Sequence, residues 1–206
     1  EVNKDDICAI IIEPIQSEGG DNHVRQEFLE QLRILADEND AMLIYDEVQS
    51  GVGLTGKFWC HEHFGEKARP DIIAFGKKMQ VCGILAGTRV DEVENNVFRV
   101  SSRINSTWGG SLVDMVRSSK IMGRIEEEQL CDNAAEVGDY LQSELLRISQ
   151  KNPVIGNVRG KGLMTAFDFP DKNRRDMFVQ EGMKHNVMFL VCGNQTIQLK
   201  PALIMD

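Results

Sequence analysis

Two short apolar runs in this chain end in residues of complementary chemistry. Ile72-Ile73-Ala74-Phe75 leads through Gly76 to the amines of Lys77 and Lys78, and Met42-Leu43-Ile44-Tyr45 leads to the carboxylate of Asp46. A lysine and an aspartate at neighbouring strand ends suit a cofactor that carries both an aldehyde and a pyridine ring. The amine holds the aldehyde as a Schiff base, and the acid keeps the ring nitrogen protonated. Pyridoxal phosphate (PLP) is that cofactor. Each residue also has an ordinary reading: an acid after a strand caps helices or lines turns, and paired lysines there are commonly a solvated turn. Gly76 favours the chemical reading of its neighbour, because glycine lets the chain turn sharply and aim the next side chain inward.

Other segments carry possible ligand contacts. Glu13-Pro14-Ile15-Gln16-Ser17-Glu18-Gly19-Gly20 leaves the first apolar run through proline and paired glycines. Glu18, an acid in a small-residue loop, is placed to act as a gate or a base, with a plain turn as the alternative. Asn105-Ser106-Thr107-Trp108-Gly109-Gly110 sets amide and hydroxyl groups before an expected helix, an arrangement that binds phosphate and also caps helices with no ligand. Glu47 should point away from Asp46 and serve structure. His61-Glu62-His63 would put two histidines on one face of a strand, but with no third ligand nearby no metal site is expected. Arg159-Gly160-Lys161-Gly162 precedes a strand rather than a helix and reads as a tight turn into Leu163–Phe169. Glu126-Glu127-Glu128 reads as a solvated helix face.

The elements that must position these groups follow from periodicity. Ile7–Ile12, Met42–Tyr45, Ile72–Phe75 and Ile84–Thr88 read as strands, the first as one buried on both faces. Between the first two, Val24–Asn39 places Phe28, Leu32, Leu35 and Ala36 at helical spacing. Strand, helix, strand at this pitch implies βαβ units and a mainly parallel sheet, with ligands at the carboxyl ends of the strands. Helical patterning runs from Ser111 to Gln150. Beyond it, Leu163–Phe169, Val187–Val191 and Ile197–Leu199 read as strands around a helix from Arg174 to His185. A domain change falls inside the long helical region, dividing 1–137 from 138–206.

The 206 residues carry a net charge of -9, and all of it lies in residues 1–128, with 14 basic and 23 acidic side chains. No basic stripe suggests a nucleic-acid partner. Five scattered cysteines without a C-x-x-C pair favour reduced thiols and a cytoplasmic setting. No apolar run reaches the roughly 18 residues of a membrane span. The opening residues are no signal peptide and lack a methionine, which reads as a fragment or a processed piece. No G-x-x-x-x-G-K-[ST] is present, so a nucleotide-binding domain ranks far below.

Taken together, E-P-I-Q-x-E-G-G, D-E-V-Q-x-G-x-G-x-T-G, F-G-K-K and N-x-T-W-G-G resemble the class III (ω-amino acid) aminotransferases, PLP enzymes of fold type I. The resemblance runs from about Ile7 to Leu203. It is strongest to the members that act on L-lysine, through Gly76–Gly83, Arg89–Val93 and the run from Asn96 to Gly110. It implies an α/β fold: an incomplete large domain with a mainly parallel sheet (1–137) and a smaller, truncated C-terminal α+β domain (138–206). It also implies Lys77 as the Schiff-base lysine, ahead of Lys78, and Asp46 on the pyridinium nitrogen. Val48 would pack against the ring, Gln49 would lie beside its phenolic oxygen and the substrate, and Thr107 would reach the PLP phosphate of the neighbouring subunit in a homodimer. Asn105 would lie near the substrate. The implied reaction passes the ε-amine of L-lysine to 2-oxoglutarate, giving 2-aminoadipate 6-semialdehyde and glutamate. Transfer from 4-aminobutyrate or ornithine, or a non-catalytic relative, are the alternatives.

Two departures from the family pattern stand out. Relatives pair the acid at Glu18 with an arginine in I-R-x-x-P that clamps the carboxylate of 2-oxoglutarate. Here the segment is Ile197-Gln198-Leu199-Lys200-Pro201, and an amide cannot supply arginine's charged fork. Lys200, expected on the same strand face as Gln198, is the candidate for the missing charge. The phosphate-cradling loop, the ring-stacking aromatic and a substrate arginine of the family are also not among these residues. The chain by itself is therefore expected to bind PLP poorly and not to turn over.

Overall fold

The structure, a computed structural model, describes residues 6–104, 107 and 109–206. In chain order its principal elements are β1 (Ala9–Ile12), β2 (Ile15–Gln16), β3 (Asn22–His23), α1 (Gln26–Glu38), β4 (Met42–Asp46), β5 (Ile72–Phe75), β6 (Gly83–Ala86), α2 (Leu112–Glu127), α3 (Leu130–Lys151), β7 (Gly156–Lys161), β8 (Met164–Asp168), α4 (Lys172–Lys184), β9 (Leu190–Cys192) and β10 (Thr196–Leu199). Short 3-10 turns cover Cys60–His63 and Lys77–Met79. The chain separates into two compact units: Glu1–Pro14, Arg25–Gln49 and His61–Arg124 form one; Ile15–Val24, Ser50–Cys60 and Ile125–Asp206 form the other.

The first unit is built on a sheet in the order β1-β4-β5-β6. β1, β4 and β5 run parallel, with Ile12 opposite Tyr45 and Asp46 opposite Ala74, while β6 returns antiparallel to β5. The mainly parallel sheet is therefore present, with an antiparallel edge. β1 is the other edge, and Ile11 is 65% exposed, so the expected burial of β1 on both faces does not hold there. Successive side chains alternate between the two faces of a strand, so Ile11 lies on the face away from Ile10, which borders a cavity with Leu35 of α1.

Helix α1 packs on this sheet through Leu29 and Ala36, both buried, while Phe28 and Leu35 of the expected apolar stripe face outward. Asp71 locks the arrangement: one carboxylate oxygen accepts from the Leu43 backbone N–H at 2.7 Å and from Arg33 of α1 at 2.8 Å. The buried Tyr45 hydroxyl donates to the Ala68 carbonyl at 2.7 Å. The ends of β4 and β5 are thus pinned by buried polar contacts, whose loss would leave unpaired groups in the interior.

The long helical region divides in two at Glu128–Gln129, where Gln129 takes a left-handed φ of 51°. Helix α2 presents Leu112, Val113 and Val116 to the exterior, Leu112 at 80% exposure.

The second unit holds an antiparallel sheet in the order β7-β8-β10-β9. Its core is Leu145 of α3 with Phe167, Phe169 and Ile197, flanked by Leu141, Phe178 and Phe189. The Phe178 ring centroid lies 5.1 Å from that of Phe169 and 4.7 Å from that of Phe189. The Asp171 side chain caps α4 by accepting from the Arg174 backbone N–H at 2.9 Å. The expected turn at Arg159–Gly162 is instead the end of strand β7, and the chain reverses at Gly162, where φ is 53°. A Cβ on Gly160 would lie 2.7 Å from the Thr165 Oγ1, so the glycine there permits close strand pairing rather than a turn. The strand expected over Val187–Val191 begins only at Leu190.

Candidate active site

Asp46 is the last residue of β4, and its ladder partner Ala74 lies three residues before Lys77 on the adjacent parallel strand. Acid and amine therefore emerge from the same end of neighbouring strands, the carboxyl end where open α/β sheets bind ligands. Asp46 is half-buried, and its Oδ1 accepts from the Val48 backbone N–H at 3.0 Å. That bond folds the chain back in an Asx turn and fixes the carboxylate at the strand end.

The chain leaves β5 through Gly76, which is buried and extended, with φ near -179°. A Cβ there would lie 3.0 Å from the Cys82 sulfur and 3.6 and 3.7 Å from the two Val48 methyls. Val48 thus packs against the residue that delivers Lys77. Lys77 itself opens a 3-10 turn with a left-handed φ of 44°, a conformation that costs a non-glycine residue of order 1–3 kcal/mol and is found at functional positions. The two lysines have different fates. Lys78 Nζ donates to the Gln49 carbonyl at 2.6 Å, which turns it back into the turn after β4. Lys77 is exposed, and among the described residues its amine has no hydrogen-bond or ion-pair partner. Thr107 is exposed, and Asn105 lies outside the described residues.

The remaining site expectations concern the second unit. Glu18, exposed, sits on the loop joining β2 to β3, and the Gly193 backbone N–H donates to its carbonyl at 3.0 Å. Gln198 is 3% exposed on β10; its amide donates to Glu18 Oε1 at 3.5 Å and to the Val191 carbonyl at 3.4 Å. Lys200 turns toward the same loop: its Nζ donates to the Ser17 hydroxyl and lies 3.9 Å from Asp21 Oδ2. Gln198 and Lys200 thus both address the Ser17–Asp21 loop, by a weak amide contact and by a charged amine.

Several residues at these places were not singled out from the sequence as partners. Arg159 clamps the Glu18 loop, donating to the Asp21 carbonyl at 2.7 Å and the Gly20 carbonyl at 2.6 Å while pairing with Asp168 at 3.0 Å. Its neighbouring glycines were the only signal, and they suggested a turn. Asp21 is wholly buried beside Lys200; an aspartate after two glycines reads as a turn residue and gives no hint of burial. His61 lies in a 3-10 turn, not on a strand, so it and His63 do not share a strand face. It is bound to Glu47, whose burial fits its structural reading. Among the described residues no group of three or more His, Cys, Asp or Glu could hold a metal ion.

The donor set suits PLP at the first of these places. A lysine amine outside any hydrogen bond can condense with an aldehyde, and a carboxylate anchored at a strand end can oppose a ring nitrogen. The Val48 methyls supply an apolar surface beside Gly76, the residue before Lys77.

Comparison with known proteins gives a consistent picture. The family model described as "Aminotransferase class-III" matches residues 1–206. L-lysine-epsilon aminotransferase of Streptomyces clavuligerus is 47% identical over 199 residues, covering 96% of this chain and 43% of that protein. 4-Aminobutyrate aminotransferase of Dictyostelium discoideum is 37% identical over 199 residues, covering 96% and 39%. The solved structure of lysine aminotransferase from M. tuberculosis in the internal aldimine form superposes with a TM-score of 0.92 at 47% identity, covering 95% of this chain and 45% of that one. The chain spans less than half the length of the curated relatives it matches.

Proposed function

Because the chain belongs to the class III aminotransferases, we propose that it forms the lysine- and aspartate-bearing part of a PLP-dependent enzyme that moves the ε-amino group of L-lysine to 2-oxoglutarate. The observation that carries this reading is the parallel ladder setting Asp46 opposite Ala74, three residues ahead of Lys77. The choice of lysine follows identity: 47% to a lysine enzyme against 37% to a 4-aminobutyrate enzyme.

When bound, PLP supplies an aldehyde for amines and a protonated ring that delocalises the electrons of a broken C–H bond. Lys77 would hold the aldehyde between turnovers, and its amine, once released, would take up and return the proton of the substrate's ε-carbon. Asp46 keeps the proton on the ring nitrogen. Val48 would pack against one ring face, and Gln49 would lie beside the phenolic oxygen and the substrate. Asn105 contacts the substrate. Glu18, Gln198 and Lys200 sort the second substrate, with Lys200 supplying positive charge that neutral Gln198 cannot.

Thr107 reaches the PLP phosphate of the neighbouring subunit in a homodimer, and the exposed Leu112, Val113 and Val116 of α2 offer an apolar surface for such a partner. Residues 1–137 contribute to the large domain and 138–206 to the small one. The setting is cytoplasmic, with no membrane or nucleic-acid partner; among the described residues no helix is long and apolar enough to cross a membrane.

Initial rates of the full-length enzyme on L-lysine, 4-aminobutyrate and L-ornithine, each with 2-oxoglutarate, test the reading. Preference for lysine supports it, and a clear preference for either other amine contradicts it.

A further inference from the structure

Glu47 follows Asp46 directly and is 0% exposed. Successive side chains at a strand end point to opposite sides, so the two carboxylates diverge from one short stretch of backbone. The Glu47 backbone N–H donates to the Ala74 carbonyl at 2.9 Å, which holds the stretch to β5. On the buried side Glu47 Oε1 accepts from the His61 backbone N–H at 2.8 Å and lies 2.9 Å from His61 Nδ1. The imidazole tautomer with hydrogen on Nδ1 makes the second contact a hydrogen bond to a carboxylate. One oxygen thus binds both the main chain and the ring of a single residue.

The other side of His61 is open. The residue lines a cavity of about 290 Å³ together with Glu62, Gly65, Glu66 and Arg69. Arg69 pairs with Glu66 at 3.1 Å. The charged groups around the imidazole are therefore Glu47 from the end of β4 and Glu62, Glu66 and Arg69 around the cavity. Removing one partner of a buried carboxylate pair costs several kcal/mol and forces the backbone around it to adjust. The backbone that would adjust is the stretch carrying Asp46.

We infer that Glu47 and His61 form a positioning pair, which holds the end of β4 so that the Asp46 carboxylate meets the ring nitrogen of PLP, and which adds a second negative charge one residue from it. This rests on the function proposed above. Neither residue touches the cofactor; both act through Asp46. The buried charge of Glu47 stabilises cationic forms of the bound cofactor, and the His61 N–H keeps that charge in place.

The test uses the full-length protein loaded with PLP and reads three quantities: the PLP dissociation constant, the midpoint of the pH titration of the bound cofactor's absorbance, and Tm. His61→Leu should weaken PLP binding about tenfold, the scale of one hydrogen bond to a charged group. His61→Asn, whose amide N–H can take the place of Nδ1–H, should restore most of that loss. Glu47→Gln keeps an acceptor but removes the charge, and should lower the titration midpoint by about half a pH unit, the scale of one partly screened charge. A lowered Tm with wild-type PLP affinity in His61→Leu and a wild-type midpoint in Glu47→Gln would mean a purely structural pair and overturn the inference. If His61→Leu fails to fold, the Glu47→Gln midpoint decides alone. Asp46→Ala separates the two levels of the argument. If the wild type binds PLP and Asp46→Ala alters its absorbance while the pair's variants do not, only the pair is overturned. If the wild type does not bind PLP, the functional reading falls and the pair with it.

Discussion

Replacing Gly138 with alanine should destabilise the second unit, although alanine is the better helix former. At an exposed helical position the exchange gains up to about 1 kcal/mol. At Gly138 of α3, however, a Cβ would lie 2.2 Å from the carbonyl carbon and oxygen of Gly162 and 2.5 Å from its Cα. These are backbone atoms, and they cannot retreat. Gly162 is itself so close to the loop below that its own Cβ would lie 2.5 Å from the Thr55 carbonyl carbon and 2.7 Å from the Gly56 nitrogen. The Leu163 N–H also bonds to the Leu54 carbonyl at 2.9 Å. Helix, hairpin turn and loop are stacked backbone on backbone, so relief requires moving α3. Overpacking costs about 1–3 kcal/mol, and more where backbone must shift. The helical gain offsets part of this, leaving a net loss of about 2 kcal/mol, or roughly 4–8 °C in Tm for a chain of this size. Gly123 of α2 is the control, because a Cβ there meets nothing within 4 Å; Gly123→Ala should raise stability by up to about 1 kcal/mol. Thermal and urea unfolding of the two variants should therefore shift in opposite directions. Equal shifts, or a Gly138→Ala protein as stable as wild type, would refute the close approach.

Burial pushes the Asp168 carboxyl up, but hydrogen bonds from Asn157, Thr196 and Arg159, with the charge of Arg159, outweigh it and hold the group below its usual range. A depressed folded value stabilises the protein at pH above the unfolded value, and that stability fades as pH falls through the folded one. Asp168→Asn should therefore lose about 1–3 kcal/mol at pH 7, with the gap to wild type closing below about pH 4 in urea titrations at several pH values. Burial first, then the charge of Asp21, raises the Cys192 thiol to about 11. Thiol labelling at pH 8 should modify the exposed Cys8 and Cys82 about a hundredfold faster than Cys192; comparable rates would contradict its burial. Lys200→Ala should impair the 2-oxoglutarate half-reaction by about tenfold or more while sparing the lysine half. Equal losses in single-turnover assays would remove Lys200 from acceptor recognition.

The strands that matter were legible because they are short, apolar and closed by polar residues. β4, β5 and β10 lie within a residue of their expected positions, and Asp46 and Lys77 leave the strand ends that the pattern assigned them. Periodicity was a weaker guide to burial. It placed Phe28 and Leu35 on one apolar stripe with Ala36, of which Ala36 alone is fully buried, and passed over Leu29, because it shows that a helix has a face without showing which residues meet the sheet. The 3-10 turn at Cys60–His63 was missed because alternating histidines imitate a strand and no local signal reports a partner 14 residues away. Arg159 was misjudged for the same reason: its clamp on Gly20 and Asp21 spans more than 130 residues of sequence. Close backbone approach at Gly138 and Gly162 was equally hidden, since glycines read first as turns.

The proposed chemistry of this chain depends on Lys77, rather than its neighbour, holding the cofactor. Borohydride reduction of the PLP-loaded full-length protein, followed by mass mapping of the 72–89 region, addresses it directly. The account predicts a pyridoxyl adduct on Lys77 that vanishes in Lys77→Ala, with Lys78 unmodified in both proteins because its amine is held by the Gln49 carbonyl. An adduct on Lys78, or one that survives Lys77→Ala, would contradict it.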